Sequence, residues 1–202
     1  MGKRCAADSV ITRQALLDAA LDVFAESGCA FATMEMVASR AGMSRGAIYW
    51  HFKGRTALLG ALLDERRMPV EDLNCAGVDL ESAIGKLQAA VEVTLSDPRS
   101  RQLCEVLLHK SKLAREDHII SIRLGEAQSR LASQLEIMLN NAVENRQLIA
   151  DFNILTTIHF FEICFTGLMF ECLRKPVECT QKISSVLLWL RATLKSGQEV
   201  VI

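Results

Sequence analysis

The segment Thr33 to Phe52, TMEMVASRAGMSRGAIYWHF, decides how the rest of the chain is read. Thr33 is an N-cap type with Glu35 just inside the first turn, and Val37, Ala38 and Ala41 form a short apolar face that stops at Gly42. Ser44 is a second N-cap type, and a third helix runs from it through about Phe52. Two short helices joined by a glycine-containing turn predict a helix-turn-helix. At 100° per residue, Arg45, Gly46, Tyr49 and Trp50 share an arc of about 140°, while Ile48 and Phe52 lie together elsewhere on the helix. One face packs and the other is offered outward.

The outward residues have the chemistry of a DNA contact. The Arg45 fork matches guanine O6 and N7, Gly46 lets the backbone approach a groove, and the Tyr49 hydroxyl reaches a phosphate. Trp50 completes the arc. Thr33 and Ser44 at the helix starts, with His51, Lys53 and Arg55 behind the recognition helix, are candidates to hold phosphates and set the register. Lys3, Arg4 and Arg13 are candidates for an arm contact.

On the amino-terminal side, Leu16, Ala20, Val23 and Phe24 recur at helical spacing from Thr12 to Ser27, and Gly28 stands where that helix would stop. On the other side, a fourth helix is expected from about Thr56 towards Leu73, kinked at Pro69 and forming the one covalent path between two domains. Asn74 to Asp79, NCAGVD, reads as the linker. Beyond it come helices from Leu80 to Leu95, from Asp97-Pro98 onward and from Asp117 to Asn145, the last with a weak spot at Gly125. Asp151 is the expected cap of a helix ending near Arg174, and a final helix spans about Val177 to Lys195. The fold class is all-α with about nine helices. Residues 1–55 form a three-helix DNA-binding domain and residues 56–202 a larger ligand-binding and dimerisation domain.

Composition agrees and excludes other classes. The 202 residues are half hydrophobic with only three prolines, so long helices are favoured over many short strands. The net charge is -1, yet residues 1–70 carry nine Lys/Arg against seven Asp/Glu, a bias that suits a DNA surface at that end. Seven cysteines without a CxxC pair make a poor disulfide framework, and no Cys/His cluster has metal-ligand spacing, so neither metal nor cofactor is expected. His51, His109, His118 and His159 form no nucleophilic pairing with those cysteines, so no catalytic residue is assigned and an enzyme is not expected. Met1 to Thr12 lacks the apolar core of a secretory signal, and Ile154 to Met169 is interrupted by His159 and Glu162, against a membrane span. A soluble, cytoplasmic protein is expected.

These residues resemble the TetR family of repressors, in particular its AcrR-like branch of multidrug-efflux regulators. The likeness runs through TRQALLDAALDVFAESG and TMEMVASRAGMSRGAIYWHFKGRTALLGALL, and SRGAIYWHFK is its most specific string. It implies that Thr33, Tyr49 and His51 contact DNA, and that the basic residue here represented by Arg55 does so too. Thr56 departs from the acidic residue common at the next position. Further on, CEVLLHKSKL is similar to an AcrR-like helix carrying Glu, His and Lys at that spacing. The resemblance also implies a homodimer on a palindromic operator and a ligand cavity in each C-terminal domain.

Within that cavity Glu105 and His109, four residues apart, would share a helix face, and Met138, Phe161, Phe165 and Met169 would wall a site for a small hydrophobic or cationic inducer. The same residues also suit a satisfied histidine and a filled core. An apolar seam of Ile183, Val186, Leu187, Leu190 and Leu194, facing Ile158 and its neighbours, implies with the resemblance a four-helix dimer interface. The expected function is a ligand-responsive repressor of an efflux operon. The alternative keeps the fold and replaces the ligand by thiol oxidation at Cys104, Cys164 or Cys172.

Overall fold

The computed structural model describes residues 2–108 and 117–196. Among the described residues there are nine α-helices, two short 3₁₀ turns and no strand, so the chain is all-α. The helices are α1 (Gly2–Ser27), α2 (Met34–Arg40), α3 (Arg45–His51), α4 (Arg55–Glu65), α5 (Leu80–Ser96), α6 (Pro98–Leu108), α7 (Asp117–Glu144), α8 (Ile154–Arg174) and α9 (Cys179–Ser196).

The caps explain the first boundaries. Thr33 Oγ1 accepts from the Met36 amide at 3.2 Å, and Ser44 Oγ accepts from the Ala47 amide at 3.2 Å. Between them Gly42 takes φ +67°, and the Met43 amide donates to Ala38 O at 2.8 Å while Gly42 N–H donates to Ser39 O at 3.1 Å. That pair of bonds is a Schellman ending, which needs a left-handed residue and explains the glycine. Asn153, not Asp151, caps α8, with its Oδ1 3.0 Å from the Thr156 amide.

The fourth helix is shorter than expected. It stops at Glu65, and Pro69 opens a separate 3₁₀ turn, Pro69–Asp72, instead of kinking a longer helix. Proline forces the preceding residue out of the helical region, and Met68 is extended at φ -87°, ψ 143°. Buried Glu71 then seeds the new turn by accepting the Met68 amide at 2.9 Å, and Arg130 pairs with its carboxylate at 2.7 Å. Nor is Asn74 to Asp79 a free linker: the Cys75 amide donates to Gln134 Oε1 at 2.9 Å, and Asn141 Nδ2 donates to Cys75 O at 3.4 Å.

Two compact units result, Met1–Arg67 with Gln102–Leu124, and Met68–Arg101 with Gly125–Ile202. The chain therefore passes between them three times, and helix four is not their single connection: α6 and α7 each belong partly to both. In the first unit Leu16, Leu17, Ala20 and Phe24 of α1 are fully buried together with Ile48 of α3 and Leu58, Leu59 and Leu62 of α4. Each large side chain so buried contributes about 1.5–3 kcal/mol. Ion pairs Arg13–Glu65 and Asp18–Arg66, both 2.5 Å, tie α1 to α4. In the second unit α5, α8 and α9 pack together, and the half-buried Glu171 carboxylate, held down at about 2 by Arg174 and Lys182, bridges α8 to α9.

The expected interface residues Ile158, Leu187, Leu190 and Leu194 are 7%, 2%, 1% and 2% exposed, so they form the interior of this unit and not an outward seam. The large apolar residues left outside on the same helices are Leu155, Phe160, Ile163 and Phe170 of α8 and Leu188 of α9. Phe160 meets Trp189 at 4.6 Å between ring centroids, which makes that outer face continuous across both helices.

Candidate nucleic-acid interface

Helix α3 has seven residues, and Ile48 alone among them is buried. Ile48 and the following Phe52 are 0% and 4% exposed and fix which way the helix is turned. Arg45, Gly46, Tyr49 and Trp50 all face outward, with Tyr49 45% and Trp50 73% exposed. A Cβ added at Gly46 would meet only Ser44 Oγ, at 3.8 Å. Nothing inside the protein demands glycine there.

Thr33, exposed on the start of α2, and Ser44, exposed on the start of α3, are both engaged as caps, and each hydroxyl still has its proton to donate. Lys53 is exposed directly after the helix. Arg55 is half-buried and turned inward, where it donates to Ala30 O at 3.1 Å and Ala32 O at 3.3 Å. It shapes the loop between α1 and α2. Arg13 is likewise engaged inside the unit, pairing with Glu65 and lying 5.3 Å over the Phe52 ring.

Two features, the pairing of Arg45 with Glu35 and the exposure of Phe31, are not among the expectations from sequence. Arg45 is 69% exposed and its guanidinium meets Glu35 of α2 at 2.7 Å, so this outward side chain carries its own counter-ion. Phe31, between the two carbonyls that Arg55 holds, is 77% exposed. A large aromatic in a polar loop beside Thr33 was the available signal for the second. The first, joining two helices, leaves no trace in spacing.

His51 is half-buried, with its ring edge-on to Trp50 at 4.6 Å. Burial first and the Arg13 charge second hold its pKa below the ordinary 6.5, so the free protein carries a neutral imidazole that can donate one N–H. A phosphate beside the ring favours the imidazolium and raises that pKa, so DNA binding should take up protons. Operator affinity should then fall as the pH rises through the range in which the imidazole loses its proton, and His51→Gln should flatten that slope. Anisotropy titrations across the range test this, and equal slopes for the two proteins would refute a phosphate contact.

The other expected sites lie elsewhere. Half-buried Glu105 belongs to the first unit, while Met138, Phe161 and Met169, all buried, and half-buried Phe165 belong to the second. Phe161 stacks on Phe165 at 5.7 Å. His109 lies outside the described residues. Of the three thiols named for redox sensing, Cys104 is buried, Cys164 is half-buried, and Cys172 is pushed up to about 12 by burial and by Cys179. A thiol so raised is a poor nucleophile.

Comparison with known proteins adds to this geometry. Residues 16–62, which run from within α1 through α2 and α3 into α4, match "Bacterial regulatory proteins, tetR family". Across nearly the whole chain the protein is similar to the HTH-type transcriptional regulator SrpR of Pseudomonas putida, 32% identical over 187 residues that cover 93% of this chain and 87% of SrpR. The chain belongs to the TetR family. This TetR-family regulator shares its fold with NalD, the secondary repressor of the MexAB-OprM multidrug efflux pump in Pseudomonas aeruginosa, at TM-score 0.77 and 24% identity over 93% of this chain and 98% of NalD. SmeT, repressor of the Stenotrophomonas maltophilia multidrug efflux pump SmeDEF, matches at TM-score 0.69 and 26% identity over 91% and 89% of the two chains. SmeT is also known in complex with triclosan. Members of the family are transcription regulators and not enzymes, and the transcriptional regulator AcrR of Shigella flexneri and a probable acrEF/envCD operon repressor of Escherichia coli are among the relatives of this chain.

Proposed function

We propose that this TetR-family regulator is a cytoplasmic homodimer that represses an efflux operon by placing two α3 helices in successive major grooves of a palindromic operator, and that a small hydrophobic or cationic compound releases it. The observation that carries the reading is the division of α3 into an inner anchor, Ile48, and an outer set of Arg45, Gly46, Tyr49 and Trp50. Arg45 reads guanine, and Tyr49, His51, Thr33 and Lys53 hold phosphates. Arg55 acts indirectly, by shaping the loop that presents Thr33.

The dimer face is Leu155, Phe160, Ile163 and Leu188, which are 64%, 49%, 72% and 63% exposed. By length and composition α8 would qualify to cross a membrane, but an exposed apolar face on a helix that also carries His159 and Glu162 suits a second copy of the chain. The inducer occupies the aromatic and methionine-rich interior of the second unit around Phe161, Phe165, Met138 and Met169. The relatives that repress pump genes support the efflux role, and the triclosan complex of SmeT supports a small apolar ligand.

Release passes through α7 rather than through a kink at Pro69. Near the start of α7, Arg123 donates from Nε to Leu63 O at 2.9 Å and from Nη2 to Arg66 O at 3.1 Å, gripping the last carbonyls of α4 within the first unit. The same helix continues into the second unit from Gly125. A ligand that shifts α7 therefore pulls on α4, the helix that follows the recognition helix. Arg123→Met should leave inducer affinity within about twofold while reducing inducer-driven release roughly tenfold, the loss of a coupling of about 1.4 kcal/mol. Calorimetry for binding and anisotropy for release separate the two, and undiminished release would remove Arg123 from the path.

The function itself is tested by footprinting the purified protein on DNA flanking its own gene and screening dyes, antibiotics and triclosan for release. Failure to protect any symmetric site would overturn the reading.

A further inference from the structure

At one end of the second unit a cleft of about 590 Å³ opens between the start of α5, the segment joining α7 to α8, and the end of α9. Its floor is apolar, made by Leu80, Ile84, Leu148 and Leu194, which are 7%, 1%, 4% and 2% exposed. Its rim carries two arginines and one carboxylate. Arg191 reaches Glu81 through Nε at 3.0 Å, which leaves its terminal amino groups for another acceptor. Arg146 is exposed, and its guanidinium meets no carboxylate among the described residues.

Arg146 also stands where a glycine is expected. The Gln147 amide donates to Ala142 O at 2.7 Å and Arg146 N–H donates to Val143 O at 3.0 Å, a Schellman ending of α7 with Arg146 as its left-handed residue at φ +57°. It is the sole non-glycine with positive φ among the described residues. A side chain kept at a position that favours glycine needs a reason, and here it lines the cleft.

We propose that this cleft is a second ligand site, for an amphipathic organic anion. The apolar body lies on the leucine and isoleucine floor, and a carboxylate, sulfonate or phosphonate head is shared by Arg146 and Arg191. Planar forked donors suit such a head, and the volume suits a small ligand. The site is distinct in place and in charge preference from the interior pocket of the proposed inducer.

Decanoate, with decanol as its uncharged comparator, is titrated calorimetrically into the full-length protein, Arg146→Gly and Arg191→Gln. Decanoate should bind the parent at least about tenfold tighter than decanol, and each variant should lose roughly that factor for decanoate alone, the effect of one charge-assisted hydrogen bond. Arg146→Gly relieves the backbone, so its Tm should be unchanged or higher, which separates lost binding from lost folding. Operator affinity without ligand should be unchanged in both variants, so a failure of DNA binding and a failure of this site are read separately. Equal affinity for decanoate and decanol, decanoate affinity unaltered by Arg146→Gly, or no decanoate binding at all would each overturn the proposal.

Discussion

Arg45→Ala is expected to weaken operator binding about 5- to 150-fold, corresponding to about 1–3 kcal/mol for one bidentate guanine contact, while binding to unrelated duplex changes much less. Two features set this expectation. Arg45 opens α3 with its side chain 69% exposed, so truncation removes a reading group without disturbing the core. It also releases Glu35, 2.7 Å away, as an unpaired carboxylate facing a polyanion. An exposed ion pair of this kind contributes little to stability, about 0–1 kcal/mol. Its consequence is for selectivity: Arg45 must leave Glu35 to reach a base, and a sequence without guanine there does not compensate the loss. Glu35→Gln should therefore raise affinity for unrelated DNA several-fold and narrow the ratio between operator and competitor. The double variant should recover general affinity but not discrimination. Anisotropy on operator and scrambled duplexes at one fixed salt concentration decides the matter, because salt alone moves such affinities by orders of magnitude. An unchanged ratio in Arg45→Ala would remove Arg45 from the reading face.

The second large effect concerns assembly. Ile163→Glu combined with Leu188→Glu should leave the chain folded, convert it to a monomer in analytical ultracentrifugation, and lower operator affinity by about 10² to 10⁴, the avidity lost when two heads no longer act as one ligand. Both side chains are largely solvent-exposed, at 72% and 63%, so a charge there is hydrated in the isolated chain and costs only when a partner covers it. Leu190→Glu is the contrasting control. Leu190 is 1% exposed, and a charge at that position should unfold the second unit instead of merely separating two copies. A double variant that still sediments as a dimer would place the interface elsewhere.

This contrast shows where sequence pattern runs out. In α8 and α9 apolar residues occupy more than one face, and periodicity cannot rank two greasy faces: the more regular seam, Leu187, Leu190 and Leu194, belongs to the interior, while the scattered residues Leu155, Ile163 and Leu188 are outside. The amino-terminal unit was far more readable because its boundaries are written in local chemistry. Thr33, Gly42 and Ser44 each act within a few residues of their own position, through bonds that a short motif can carry. At Pro69 two local signals compete: Leu73 follows Leu62 and Leu63 at helical spacing, yet the proline holds Met68 extended and Glu71 starts a separate turn. The grip of Arg123 on Leu63 and Arg66, and the pairing of Arg45 with Glu35, join residues far apart in the chain and became visible only in the fold.

The recognition helix is held in place by very few groups: one inward isoleucine, one phenylalanine just beyond its end, and a serine hydroxyl at its start. The outer side chains Arg45, Tyr49 and Trp50 contribute little to stability, so mutations among them are filtered by what they meet outside and hardly at all by folding. A gene duplicate of this chain is thus free to drift towards a new promoter in single steps, each intermediate still a well-folded protein.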